Sequence, residues 1–155
     1  MNHEADRFAA RVEEVSRALF KRRHRLAVCG WIRAVDGAFY VREIASALGI
    51  GDNQIAPDFA ALREIDALER FETPDRENWH RAADHPLWPF VDQLLRDLAE
   101  TESPGSGEML LARFRVEFLR VEVPPRHRLG VRAPVGPAAT TGPPQRFQKR
   151  ETAPD

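Results

Sequence analysis

The chain has 155 residues, of which 43% are hydrophobic and 30% charged, and its formal net charge at pH 7 is −1. These values are typical of one globular domain, or of a smaller domain with tails, and they exclude the strongly basic composition of a non-specific nucleic-acid binder. Apolar runs of only a few residues exclude a membrane-spanning helix, and the N-terminal region lacks the apolar segment of a secretory signal. We therefore expect a cytoplasmic protein with no membrane association.

Helical spacing of apolar residues predicts several helices in the first half of the chain. A helix is expected from Asp6 to Phe20 and a second over residues 25–35, which ends at the turn signal Asp36-Gly37. The short β-prone segment Ala38–Val41 comes next, and two further helices are expected over Arg42–Leu48 and Gln54–Ile65.

The second half begins with a predicted hairpin. Leu68, Phe71 and Trp79 flank a polar loop and indicate two short strands. A helix over Leu87–Glu100 and a linker over Ser103–Gly107 follow. Apolar spacing beyond the linker favours one more helix, although alternation of the same residues is also typical of a strand. Seven of the 32 residues from Pro124 onward are proline, so we expect that tail to be disordered.

Three residues around the third and fourth predicted helices have the spacing of a helix-turn-helix. Ala45 is followed four residues later by Gly49, and Gly49 six residues later by Ile55. A small residue is needed where the two helices cross, a glycine supplies a left-handed turn, and a branched residue anchors the second helix. The arrangement predicts that Gln54–Ile65 can project into a DNA major groove.

The segment REIASALGIGDNQIAPDFAALREIDALERF, within residues 20–100, resembles the ArsR-like winged-helix transcriptional regulators. The resemblance implies a mainly α winged helix-turn-helix fold with a small β-hairpin wing, flanking helices and a disordered C-terminal tail. It also implies sequence-specific binding of double-stranded DNA, with repression as the commonest outcome, and no enzymatic activity. The expected division is a helix over 1–20, a winged-helix domain over 21–101, a linker and helix over 102–123, and a tail over 124–155.

The DNA-contacting residues implied by this resemblance come from the recognition helix, its flanks and the wing: Lys21, Arg22, Arg23, Arg42, Asp52, Asn53, Gln54, Asp58, Arg63 and Arg76. Arg70 and Arg81 could line the same side. Asn53 and Gln54 can pair with adenine edges, whereas Asp58 would repel phosphates. We also expect Pro57 to be accommodated only in the first turn of this helix, so that the helix starts late or is distorted.

Several alternatives stay open at this point. The acidic, proline-containing helix also leaves open an alternative, a winged helix that binds a protein and has lost DNA binding. The predicted outer helices, Phe8–Phe20 and Leu87–Glu100, would leave apolar stripes exposed on a lone winged-helix core, so by analogy with the family we expect a homodimer. The C-terminal tail could add DNA affinity or dock a protein partner.

Metal, cofactor and redox sites receive little support from the sequence. His80, Asp84 and His85 are the only cluster of metal-ligand types, and their spacing favours surface residues, with Asp84 as a helix cap. Cys29 is the single cysteine and lies among apolar residues, so we expect a buried, inert thiol rather than a redox sensor. Trp31, Trp79 and Trp88 are interpreted as packing residues. No metal and no cofactor are expected.

Overall fold

The computed structural model describes residues 3–35, 37–72 and 78–121. Over these ranges the chain is mainly helical, with six α-helices and one antiparallel sheet of two strands. In chain order the elements are α1 (His3–Phe20), α2 (Arg25–Ala34), α3 (Val41–Leu48), α4 (Asp52–Glu64), β1 (Leu68–Glu72), β2 (Asn78–Ala82), α5 (Leu87–Glu102) and α6 (Gly107–Glu117). The predicted disorder from Pro124 onward lies outside the described residues.

The start of α4 differs from the prediction. The helix begins at Asp52, so Pro57 lies inside it and not in its first turn. Gly51 holds the start in place, because its carbonyl accepts the Gln54 N–H at 2.9 Å and its own N–H donates to Gln54 Oε1 at 3.3 Å. Pro57 has no N–H to give to the carbonyl of Asn53, but both residues are exposed and water can reach that carbonyl.

The predicted hairpin is confirmed. Strands β1 and β2 pair with Leu68 opposite Ala82 and Phe71 opposite Trp79. The β-prone segment before α3 adds a single bridge, in which Phe39 and His80 exchange backbone hydrogen bonds of 2.8 and 2.7 Å. The segment contributes no more than this because α3 already begins at Val41.

One hydrophobic core joins the hairpin to all six helices. Helix α1 packs against α2, α5 and α6, and Phe8 meets Phe114 edge to face at a ring-centroid distance of 5.1 Å. The strand alternative for the segment after the linker is thereby excluded, since α6 is a helix that buries Leu110 and Phe114.

The expected apolar stripes on the outer helices are mostly covered, although Leu19 of α1 and Phe90 of α5 remain 54% and 50% exposed. Phe8 and Val12 of α1, and Val91 and Leu95 of α5, are at most 3% exposed because the two helices pack against each other and against α2 and α6. The exposed stripes were predicted for a winged-helix core without α6. In the structure α6 packs against both α1 and α5 and buries much of their apolar surface. No described helix is both long and apolar enough to cross a bilayer.

Candidate nucleic-acid interface

The connection between α3 and α4 has the local structure that the three-residue spacing predicts. Ala45 is 3% exposed, and Gly49 has a φ of 64°, which is costly for a residue with a Cβ. The N–H of Ile50 donates to the carbonyl of Ala45 at 3.0 Å and closes the end of α3. Ile55 is fully buried one turn into α4. The left-handed turn predicted at Gly49 is confirmed, and Ala45 and Ile55 are buried as their predicted roles require.

The outer face of α4 carries short side chains and is nearly uncharged over the first two turns of the helix. Asn53, Pro57 and Ala60 recur at helical spacing along this face and are exposed, with Ala56 exposed beside them. The opposite face is buried through Ile55, Phe59 and Leu62. The helix therefore presents small side chains outward, and its backbone can come close to a flat or grooved partner.

The two amides at the start of α4 are not equivalent. Gln54 is exposed, but its side-chain carbonyl already caps the helix by accepting the Gly51 N–H. Asn53 is also exposed, and its side chain makes no hydrogen bond to any other described residue. Asn53 thus keeps both its donor and its acceptor for a partner.

Asp58 does not lie on this outer face, and its prediction as a DNA-contacting residue is wrong. Its side chain is 1% exposed, and Oδ1 accepts hydrogen bonds from Arg25 Nε at 2.8 Å and from Arg22 Nε at 3.3 Å. Since two guanidinium groups neutralise it in the interior, Asp58 would not repel DNA phosphates as the sequence suggested. Arg22 also donates from Nη2 to the carbonyl of Gln54 at 3.0 Å, which ties the α1–α2 loop to α4.

Arg25 is the residue of this cluster that sequence reasoning missed as a partner. The signal was present, because Ile55, Asp58 and Leu62 have the i, i+3, i+7 spacing of one helix face. A carboxylate on a buried face needs a cationic partner. In the folded chain the basic run that leads into α2 provides it, through Arg22 and Arg25.

Three basic residues around α3 and α4 have no carboxylate partner within the described part of the chain. Lys21 lies in the α1–α2 loop, Arg42 in the first turn of α3 and Arg63 in the last turn of α4, and all three are exposed. By contrast, Arg23 donates to Glu13 at 2.8 Å, and this hydrogen bond raises the pKa of Arg23. Three cations are thus available for an anionic partner beside α4.

The remaining predicted contacts are less well placed or lie elsewhere. Asp52 is exposed in the first turn of α4, where it adds negative charge. On the hairpin, Arg81 pairs with Glu69, and Arg70 has a polar or electrostatic contact of its own. Arg76 falls between the two strands, outside the described residues. Among the described residues, the predicted contacts that remain exposed and unpaired cations are therefore Lys21, Arg42 and Arg63.

The histidines before α5 do not form a metal centre. His80 is 3% exposed and its ring lies between those of Phe39 and Phe59. His85 accepts the Leu87 N–H through Nδ1 at 3.0 Å, so it caps α5 in place of Asp84, the predicted cap. The described residues contain no group of three or more histidine, cysteine or acidic side chains able to hold a metal ion.

The tryptophans act as packing residues, as predicted. Trp31 and Trp88 are at most 4% exposed, and Trp88 donates from Nε1 to the carbonyl of Ala67 at 3.2 Å. Trp79 is half-buried at the hairpin, where its ring meets that of Tyr40 edge to face. None of the three forms an exposed platform on which a base could stack.

Comparison with known proteins adds no family to this description. The chain matches no protein-family model, and no curated protein or solved structure matches it either.

Proposed function

We propose that the chain is a sequence-specific, double-stranded DNA-binding transcriptional regulator with a winged helix-turn-helix fold. In this proposal α3 and α4 form the helix-turn-helix, the β1–β2 hairpin is the wing, and α4 enters the major groove. The observation that carries the proposal is the combination of a left-handed turn at Gly49 with an outward face of small side chains on α4. An α-helix with such a face fits the width of the major groove.

Electrostatics support the same partner. Lys21, Arg42 and Arg63 form no ion pair with a described acidic residue, which leaves them able to displace counterions from phosphates. The burial of Asp58 removes the repulsion that its place in the sequence suggests, since Arg22 and Arg25 outweigh its charge. The local charge beside α4 is therefore more favourable to DNA than the net charge of −1 implies.

The test is fluorescence anisotropy of the full chain on labelled double-stranded DNA recovered by selection from a random library, titrated at several salt concentrations. We expect affinity to fall as salt rises, and Arg42→Ala and Arg63→Ala each to lower the slope of log affinity against log salt by about 1. Arg11→Ala is the matched control, because Arg11 is an exposed arginine that pairs with Glu14 on α1. An unchanged slope in both variants would refute their assignment as phosphate contacts.

Docking of a protein on α4 is the competing function, and one observation favours it. Ala56, Pro57 and Ala60 give this face an apolar character, while Asp52 and Glu64 are acidic at its two ends. This alternative predicts no salt-dependent DNA affinity at all. The same selection tests the expected homodimer. A dimer presents two copies of α4 and should select a DNA site with two-fold symmetry.

A further inference from the structure

The start of α4 carries two adjacent amide side chains, and only one of them is free of hydrogen bonds to other described residues. We infer that Asn53, and not Gln54, is the base-reading amide of α4, and that its target is an adenine in a run of A·T pairs. This inference rests on the DNA-binding function proposed above and names the sequence feature that the site recognises.

The hydrogen-bonding state of the two amides separates them. An adenine presents the N7 acceptor and the N6 donor in the major groove, so its reader must offer a donor and an acceptor together. Gln54 has given its acceptor to the Gly51 N–H, and losing that bond would open the first turn of α4. Asn53 is exposed, and both its donor and its acceptor are available. Because it precedes Gln54 by one position, it points in a different direction from the helix axis and lies on the outer face.

The side chains next to Asn53 extend the preference to thymine. Pro57 and Ala60 continue the line of Asn53 along the outer face, and Ala56 lies beside them. None of the three can hydrogen-bond through its side chain, so none can satisfy the exposed polar edge of a G·C pair. They can, however, make apolar contact with the C5-methyl group of thymine, which only A·T pairs carry.

No exposed acidic or basic side chain interrupts this stretch, since Asp58 is buried. The charges of α4 that are exposed stand at its ends, with Asp52 before Asn53 and Arg63 and Glu64 after Ala60. From Asn53 to Ala60 the helix rises about 10 Å, the height of about three base pairs. We therefore expect one adenine specified by hydrogen bonds and adjacent thymines specified by their methyl groups.

The experiment is selection from a random double-stranded library with the full wild-type chain, followed by affinity measurements on the selected site. The wild type is expected to select an A·T-rich core, and Asn53→Ala to lose about tenfold of the preference for adenine at one base pair. Gln54→Ala is the matched control, because it removes an amide from the adjacent position. It should lower helix stability slightly and leave the selected base unchanged.

A second measurement addresses the methyl contacts. Replacement of single thymines by deoxyuridine removes only the C5-methyl group, and it should weaken binding of the wild type at the positions beside the adenine. Circular dichroism of each variant verifies that the fold is retained.

The outcomes separate this inference from the proposed function. Salt-dependent, sequence-selective binding that is unaffected by Asn53→Ala, or a selected core of G·C pairs, would overturn the inference and leave the DNA-binding function standing. Failure of the wild type to bind any DNA would overturn both. If Gln54→Ala loses the preference for adenine and Asn53→Ala keeps it, Gln54 is the base-reading amide and the inference is overturned.

Discussion

Asp58 of α4 and Arg25 of α2 are joined in the interior by a hydrogen bond of 2.8 Å between Oδ1 and Nε. Arg22 donates to the same oxygen at 3.3 Å, so one buried carboxylate connects α4 to both the α1–α2 loop and the first residue of α2. The side chains of Arg22 and Arg25 are 38% and 20% exposed, which lets them reach solvent while Asp58 cannot. The position of α4 therefore depends on an ionic contact as well as on its apolar face.

Asp58→Asn should destabilise the protein by about 3 kcal/mol, the lower end of the range for breaking a buried ion pair, because the released arginines can be partly hydrated. The measurement is equilibrium unfolding in urea. Asp52→Asn is the control, since Asp52 is an exposed acid of the same helix, and its substitution should change the free energy of unfolding by less than about 1 kcal/mol. Equal effects of the two substitutions would contradict a structural role for Asp58.

The elements with strong local signals could be predicted from the sequence. The Ala45–Gly49–Ile55 spacing specifies a small residue, a left-handed turn and an anchor, and each has its own physical requirement that only a few residue types meet. The hairpin could be predicted for the same reason, since a polar loop lies between β-prone residues. Proline positions were less informative, because the Gly51–Gln54 cap starts α4 early enough to place Pro57 in its second turn.

Contacts between distant parts of the chain could not be predicted in the same way. Asp58 and Arg25 are 33 residues apart, and the helical spacing around Asp58 indicates a buried carboxylate that needs a cation without indicating that Arg25 supplies it. The cover of α1 and α5 by α6 is likewise a tertiary contact, so most of the apolar residues expected to be exposed on the outer helices are buried. At the candidate site, the residue types were predictable, but their division into free groups such as Asn53 and committed groups such as Asp58 required the fold.

The junction of α5 and α6 allows no side chain at Gly107. A Cβ there would lie 2.7 Å from the backbone nitrogen of Glu100 and 2.8 Å from its Cα, and backbone atoms cannot move aside cheaply. Gly107→Ala should therefore destabilise the protein by about 3 kcal/mol. Gly51→Ala is the matched control, because a Cβ there meets no atom within 4 Å, and thermal unfolding of the two variants should differ clearly. Similar melting temperatures would show that α6 is not held tightly against α5.

The thiol of Cys29 should be chemically silent in the folded protein. It is 1% exposed, and burial raises its pKa to about 12, so almost none is thiolate at neutral pH. We expect a thiol reagent to label the chain at neutral pH only as fast as it unfolds, and rapidly once urea is added. Fast, stoichiometric labelling of the native protein would contradict this and would return redox sensing to consideration.

His24 should make stability depend on pH. Its pKa lies below the ordinary 6.5, first because the ring is partly buried and second because Arg23 is close, although Glu13 and Asp58 oppose the shift. As pH falls through about 6.5, the unfolded chain takes up a proton on this residue that the folded chain resists, so stability decreases on acidification. His24→Gln removes that difference, and urea unfolding between pH 7.5 and pH 5.5 should show a smaller loss of stability in the variant. The other histidines are identical in the two proteins, so the difference between them isolates the contribution of His24; parallel losses in the two proteins would contradict a lowered pKa at this position.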